Sequence, residues 1–199
     1  MPAQRAFCYI ELNGFSVSHK ALWAFQRKLR LLQKKERGYL LRQIPKSIKD
    51  KWRESGVGVK VTRAAILRDW LYLHEDGLQL EPVLYTKTKE PSISSKLALP
   101  FYVADYPVIQ RLIDYIKNDK LLNTYAKGFY KYIYDDLIRP SYSLTSTVTG
   151  RSASRDPHGQ NFPKRGKLAK EYRKVFQAPP GWVYISCDLS QAELRIAAM

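Results

Sequence analysis

The side chains best suited to chemistry lie in the run 182–195, which reads WVYISCDLSQAELR. Asp188 follows apolar and aromatic residues that alternate as they do along a strand, so we expect its carboxylate to emerge at the edge of a sheet. A carboxylate there suits Mg²⁺, which takes oxygen ligands, and the backbone carbonyl of Leu189 is a second candidate ligand. Metal-assisted chemistry on phosphates needs a further carboxylate, and the four residues after Arg195 include none. The run therefore predicts one part of a metal-dependent site.

The same run has a purely structural interpretation. Ser190 and Glu193 have the spacing of a capping box, in which each side chain binds a backbone amide at the start of a helix. That interpretation needs no function for these two residues. It leaves Gln191, Arg195 and the basic segment upstream unexplained, so both interpretations stay open.

The segment from Gly150 to Lys174 is strongly basic, with eight Lys and Arg residues against two acidic ones. Glycines and amide side chains, among them Gln160 and Asn161, are set between the cations. Cations neutralise phosphates, small residues let the backbone approach them, and amides bind sugars or groove edges. The segment therefore indicates nucleic-acid binding, with a solvated basic loop as the alternative.

The whole chain carries a formal net charge of +16, with 34 Lys and Arg against 18 Asp and Glu. Such an excess favours a polyanionic partner, and nucleic acid is favoured over an anionic membrane because the cations recur along the whole chain. Cys8 and Cys187 lack paired spacing, the three histidines are scattered, and no stretch is long and apolar enough to span a membrane. We therefore expect a soluble, cytoplasmic protein of a bacterial or phage-infected cell, without a zinc site.

Apolar residues at three- and four-residue spacing predict helices in the first two thirds of the chain. The expected helices cover residues 16–37, 46–54, 63–74 and 105–135, with a further short one near 94–99. We expect Gly38 to end the first, and Thr62 and Gly77 to cap and close the third. Gly56 and Gly58 indicate a plain turn, because the third glycine and the Lys-Ser/Thr ending of a phosphate loop are missing.

The pattern then changes to a period of two, which predicts strands. Residues 141–149 alternate hydroxyl side chains with mostly apolar ones, and residues 182–188 form the second expected strand, with Cys187 packed on its apolar side. Helices followed by strands predict an α+β fold.

Three segments together resemble family A DNA polymerases, of polymerase I or phage type. Residues 149–165, TGRSASRDPHGQNFPKR, resemble the family pattern TGR-x-SS-x-x-PNLQNIP-x-R, and residues 173–181, RKVFQAPPG, resemble R-x-x-F-x-A-P-x-G. Residues 188–195, DLSQAELR, are similar to the family's motif A, DYSQIELR. The order and the gaps match as well, and the resemblance begins at about Gly14.

The resemblance implies a right-hand fold that is incomplete. Residues 1–137 would form the mostly helical thumb and its flanking helices, and residues 138–199 the first part of the palm, including motif A. The implied reaction is template-directed DNA synthesis, in which nucleotides pass from dNTPs to a primer 3′ hydroxyl. Two Mg²⁺ ions would activate that hydroxyl and steady the leaving pyrophosphate.

The resemblance also implies roles for individual residues. Asp188 and the Leu189 carbonyl would bind the metal ions. Ser190 and Gln191 would lie beside the incoming nucleotide or the primer end, and Glu193 would exclude ribonucleotides. Contacts with primer–template DNA are implied for a further set: Thr149, Arg151, Gln160, Asn161, Arg165 and Arg195.

The sequence departs from the family pattern at several positions. His158 and Gly159 replace an Asn-Leu pair, and Leu189 replaces an aromatic residue. The 199 residues hold neither the fingers helix nor the His-Asp-Glu motif with the second metal-binding aspartate. We therefore expect a split gene product or a truncated one, inactive alone, whose partner is a separate chain or a missing C-terminal segment.

Two alternatives to an enzyme part of this kind remain. One is a non-catalytic remnant that keeps the grip on DNA, and a neighbouring reading frame with the missing motifs would distinguish the two. The other is a single-subunit RNA polymerase relative, which Glu193 disfavours because that enzyme must admit a 2′ hydroxyl.

Overall fold

The computed structural model describes residues 2–163 and 166–198. Seven α-helices and five strands in this part of the chain are, in order: α1 Pro2–Asn13, β1 Phe15–Ser16, α2 His19–Gln43, α3 Lys46–Glu54, α4 Ala64–Arg68, α5 Pro107–Lys120, β2 Ile133–Tyr134, β3 Leu137–Ile138, β4 Ser141–Ser143, β5 Ala153–Arg155, α6 Lys167–Arg173 and α7 Ala192–Ala197. The helices dominate and the sheets are small. The expected α+β class is confirmed.

The chain divides into two compact units. One comprises the residues from Trp23 to Lys131, and the other combines the residues up to Leu22 with those from Tyr132 onward. The expected boundary between thumb and palm, at 137/138, stays a prediction, because compactness does not assign a functional role to either unit.

The unit from Trp23 to Lys131 has an aliphatic core with aromatic residues. Its fully buried side chains come from helices α2 to α5 and the segments between them, and include Leu40, Ile48, Ile66, Trp70 and Leu112. Burying a side chain of this size contributes roughly 1.5–3 kcal/mol relative to leaving it exposed. The expected helix at 46–54 is confirmed as α3.

Helix α2 continues past Gly38, so the expectation that this glycine ends the helix was wrong. Glycine in a helix interior costs roughly 1 kcal/mol relative to alanine. Leu40 and Ile44, which follow Gly38, are 0% and 1% exposed in the core, and their burial outweighs that cost. Tertiary packing therefore sets the end of this helix.

The third expected helix is present in two parts. Helix α4 is followed by a π-helical turn at Asp69–Leu73, close to the expected span of 63–74. Its N-cap residue is Arg63, and no side chain caps it, so the prediction that Thr62 does so was wrong.

The long helix expected at 105–135 is shorter than predicted. Helix α5 passes into a π-helical turn at Leu121–Lys127, and the chain is strand-like by Ile133. Two buried glutamines of α2 bind this region. Gln26 Nε2 donates to the Ala126 carbonyl at 2.8 Å, and Gln33 Nε2 donates to the Tyr115 carbonyl at 3.1 Å. Such buried side-chain bonds to carbonyls were not readable from apolar spacing.

The other unit is built on a three-stranded antiparallel sheet in the order β1–β3–β2, with Phe15 opposite Ile138 and Tyr134 opposite Leu137. An aromatic cluster packs beside it. Phe162 lies 4.7 Å from Phe176 and 6.1 Å from Tyr172 between ring centroids, and Phe15 contacts the same ring at 6.3 Å.

Both strands expected to carry site residues are shorter than predicted or absent. Of residues 141–149 only β4 forms a strand, paired antiparallel with the three residues of β5, and the rest turn back towards β5. Residues 182–188 pair with no strand among the described residues, and an extended segment needs a ladder partner to become a sheet strand. Cys187 is exposed, so its predicted packing was wrong as well.

Within the described residues, no helix is both long enough and apolar enough to cross a membrane.

Candidate nucleic-acid interface

The candidate interface begins at a turn that Thr147 and Gly150 close. The Gly150 amide donates to the Thr147 carbonyl at 3.2 Å, and Gly150 has a φ of +70°, which glycine adopts without strain. The Thr147 hydroxyl donates to the Arg151 carbonyl. Thr149 is exposed on this turn. The turn therefore orients the backbone of Arg151, whose side chain is largely exposed.

The Arg151 guanidinium donates to the Glu193 carboxylate, and the two side chains are 70% and 83% exposed. These residues lie 42 positions apart in the chain. The structure thus brings together a cation of the basic segment and an acid of the run 188–195. An exposed pair of this kind adds little stability, typically about 0.2–1 kcal/mol, so a phosphate can displace the carboxylate at low cost.

Glu193 has no role in a capping box. Helix α7 begins after Gln191, which has a left-handed φ of +51°, and no side chain caps its first turn. The interpretation of Ser190 and Glu193 as a capping box was therefore wrong, because Glu193 binds Arg151 instead of the helix end.

Gln160 is held by two serines. Its backbone amide donates to Ser154 Oγ at 3.0 Å, and its Nε2 donates to Ser152 Oγ at the same distance. The neighbouring Asn161 is exposed, and its backbone amide donates to the His158 carbonyl at 3.2 Å. The two amide side chains therefore differ: one is oriented by the protein, and the other is open to solvent.

Gly159 explains one departure from the family pattern. A Cβ atom there would lie 2.8 Å from Pro140 Cγ and 3.8 Å from the Phe15 ring. A contact under 3.0 Å requires something to shift, so the leucine of the family pattern does not fit against this proline. The glycine lets the segment before Gln160 pack closely on the start of β4.

Tyr142 holds strand β4 against helix α1. Its backbone amide donates to a Glu11 carboxylate oxygen, and its ring packs at 5.3 Å on Phe7. Burial raises the pKa of the Tyr142 hydroxyl, and the nearby Glu11 carboxylate raises it further. Helix α1 therefore supports the strand through both contacts.

Helix α6 was not predicted as a helix, although its residues were counted in the basic segment. Ala169 and Tyr172 are buried, three positions apart, which is the signal that locates the helix. Three cations on its other faces, Lys167, Lys170 and Arg173, are exposed, as is Lys174, which directly follows the helix. The basic segment is therefore in part a helix that presents a cationic surface.

The remaining predicted residues lie on an open segment. Asp188, Ser190 and Arg195 are exposed, and Leu189 is 81% exposed. Arg165 lies outside the described residues. Among the residues that are described, no group of three His, Cys, Asp or Glu side chains is placed to hold a metal ion. Asp188 therefore fits one ligand position for Mg²⁺, and these residues do not form a complete site, since Mg²⁺ takes near-octahedral oxygen coordination.

Known proteins resemble this chain in sequence. A sequence profile of DNA polymerase family A matches residues 35–199. DNA polymerase I of Rhizobium leguminosarum is 35% identical over 115 residues, which are 57% of this chain and 11% of that protein. DNA polymerase I of Caldicellulosiruptor bescii is 36% identical over 145 residues, 67% of this chain and 17% of that protein. The chain thus spans less than a fifth of the length of these curated relatives.

A solved structure resembles the chain in fold. The polymerase domain of Pol1 from M. smegmatis, in complex with a DNA primer–template and dNTP, matches with a TM-score of 0.80 and 23% identity. The match covers 99% of this chain and 32% of that one. The fold is therefore that of part of a polymerase domain, in agreement with the expected incomplete right-hand fold.

Proposed function

Because the chain belongs to DNA polymerase family A, we propose that it is the part of such an enzyme that grips primer–template DNA and contributes Asp188 to nucleotidyl transfer. The solved Pol1 domain that shares its fold holds a primer–template and dNTP, which supports these two ligands for this chain. In this proposal residues 1–137 are the thumb and its flanking helices, and residues 138–199 are part of the palm.

The observation that carries the proposal is the contact of Arg151 with Glu193. It joins the segment that resembles TGR to the segment that resembles motif A. A DNA-binding loop and a nucleotide site must be adjacent if a primer end is to meet an incoming nucleotide. The contact supplies that adjacency from two residues 42 positions apart.

The proposed grip on DNA is mainly electrostatic. Arg151, Arg165 and Arg195 bind the primer–template together with the exposed cations of α6, and Thr149, Gln160 and Asn161 contribute polar contacts. Phosphate contacts of this kind position a duplex without reading its sequence. Because Ser152 already holds the Gln160 side chain, that side chain meets the duplex with little loss of freedom.

The proposed nucleotide site uses the exposed run after Asp188. Ser190 and Gln191 lie beside the incoming dNTP, and Glu193 crowds the 2′ side of its sugar. When a DNA phosphate binds Arg151, it displaces the Glu193 carboxylate, which is then available to that sugar. The same acid then serves in turn as the partner of Arg151 and as the gate against ribonucleotides.

We assign Asp188 and the Leu189 carbonyl as the ligands that this chain offers to Mg²⁺, of which two ions act in the complete enzyme. The metal ions, when bound, supply charge neutralisation at the transferring phosphate. One exposed carboxylate makes an incomplete site, so we place the other acidic ligand and the fingers helix on a further segment or a second chain.

The proposal predicts that the 199-residue polypeptide binds primer–template DNA and extends no primer by itself. Binding is measured by fluorescence anisotropy of a labelled duplex, and extension by gel analysis with dNTPs and Mg²⁺. Supplying a second polypeptide that carries the fingers helix and the His-Asp-Glu motif is expected to restore extension. Templated incorporation by the 199 residues alone would contradict the proposed division of the site. Binding without any restoration would favour the non-catalytic remnant.

A further inference from the structure

The edge of strand β1 that faces away from β3 binds both the backbone of residues 175–177 and a tyrosine hydroxyl. The Gln177 amide donates to the Ser16 carbonyl at 3.2 Å, and the Ser18 amide donates to the Val175 carbonyl at 2.8 Å. In an antiparallel pair, successive residues direct their backbone amide and carbonyl to opposite sides. Val17 donates its amide to the Asp136 carbonyl at 2.8 Å, on the β3 side, so the amide and carbonyl of Ser16 face the other way. The Tyr184 hydroxyl accepts from the Ser16 amide at 3.0 Å and donates to the Ser16 carbonyl at 3.3 Å.

This hydroxyl matters because the segment around it has few other attachments. Between residues 178 and 190, the backbone bond found in the described structure is a local one, from the Trp182 amide to the Pro179 carbonyl at 2.9 Å. Trp182 and Ile185 are 74% and 82% exposed, so their side chains add little packing. The chain leaves the β1 edge after Gln177, and the two hydrogen bonds of the Tyr184 hydroxyl attach it to that edge again before Asp188.

We propose that Tyr184 is a positioning residue for Asp188, an inference that rests on the role proposed above for that carboxylate. Its hydroxyl fixes a point four residues before Asp188, and four residues span at most roughly 14 Å between the Cα atoms of Tyr184 and Asp188. A tyrosine suits this task because its hydroxyl donates and accepts at once. Its side chain has only two rotatable bonds, so little conformational freedom is lost on fixing it.

The test is Tyr184→Phe, which removes the hydroxyl and keeps the ring. The matched control is Tyr134→Phe, a tyrosine of β2 that is 73% exposed. A nitroxide label on the exposed Cys187, in a Cys8→Ser background, reports order one residue from Asp188. We expect Tyr184→Phe to shorten the rotational correlation time of the label by at least about twofold, as an ordered segment becomes a mobile loop. Tyr134→Phe is expected to leave the spectrum unchanged.

Amide exchange at Ser16 provides the second readout. In the wild-type chain we expect this amide to be protected, because the Tyr184 hydroxyl accepts from it, and in Tyr184→Phe to exchange about tenfold faster. An unprotected Ser16 amide in the wild type would overturn the proposal even if the variant did not fold. Faster exchange with an unchanged label would also overturn it, because the bond would then not position Asp188.

These measurements need neither DNA nor activity, so they are independent of the proposed function. If Tyr184→Phe produces both changes but the chain binds no primer–template, the positioning role of Tyr184 stands and the DNA-binding role is refuted. If the chain binds primer–template but Tyr184→Phe produces neither change, the DNA-binding role stands and the positioning role of Tyr184 is refuted.

Discussion

Asp188→Ala is expected to abolish primer extension by the mixture of this chain with a polypeptide that carries the remaining family motifs. Loss of a metal ligand removes several kcal/mol of transition-state stabilisation, and each 1.36 kcal/mol is a factor of ten in rate. We therefore expect a fall of at least about 10³-fold in the extension rate. The rate is measured under single-turnover conditions, so that slow product release does not hide the effect.

Binding separates this effect from damage to the fold. Asp188 is exposed and its carboxylate repels phosphates, so Asp188→Ala is expected to bind primer–template as tightly as the wild type or slightly more tightly. Asp105→Ala removes an exposed carboxylate in the other compact unit and is expected to change neither rate nor affinity. If the mixture with Asp188→Ala still extended primers at the wild-type rate, the metal assignment would be wrong.

Removing the three exposed cations of α6 together with Lys174, which directly follows it, is expected to weaken DNA binding steeply. In the variant, Lys167, Lys170, Arg173 and Lys174 are each replaced by glutamine, which is a good helix former and has no charge. Each cation that neutralises a phosphate contributes about 0.9 to the slope of log affinity against log salt. The magnitude of that slope is therefore expected to fall by about three to four in the variant. At moderate salt its affinity is expected to fall by tenfold to about a hundredfold.

The control carries the same change in net charge. Lys35, Arg42, Lys46 and Lys60 are exposed cations of the other compact unit, and their replacement by glutamine lowers the charge equally. We expect a smaller loss of affinity and a smaller change of slope in this control. Equal losses in the two variants would mean that affinity follows total charge, and that α6 is not a specific part of the interface.

The family was easier to identify from the sequence than the local structure was. Helix α3 and the start of α2 follow from apolar spacing, because their buried residues repeat on one face. The expectation for Gly38 was wrong because the free-energy cost of a glycine within the helix is smaller than the stabilisation from burying Leu40 and Ile44, which follow it. Helix propensity describes a residue alone, whereas the end of this helix depends on contacts with distant segments.

Long-range polar contacts were beyond sequence reasoning. The alternation over 182–188 predicts a strand, yet a strand exists only where another lies beside it. The Tyr184 hydroxyl meets Ser16 across 168 positions, and no residue pattern marks such a bond. Ser190 and Glu193 have capping spacing, but Arg151 competes for the same carboxylate. The motifs single out these residues, and the fold determines which of them are in contact.

The most direct test of the DNA-binding role is hydrogen–deuterium exchange of the chain with and without saturating primer–template DNA. We predict slower exchange at residues 147–161 and along α6, with unchanged exchange at the buried helix α4, and a loss of the effect at high salt. Unchanged exchange at both 147–161 and α6, under conditions where anisotropy shows the duplex to be bound, would contradict the proposed interface.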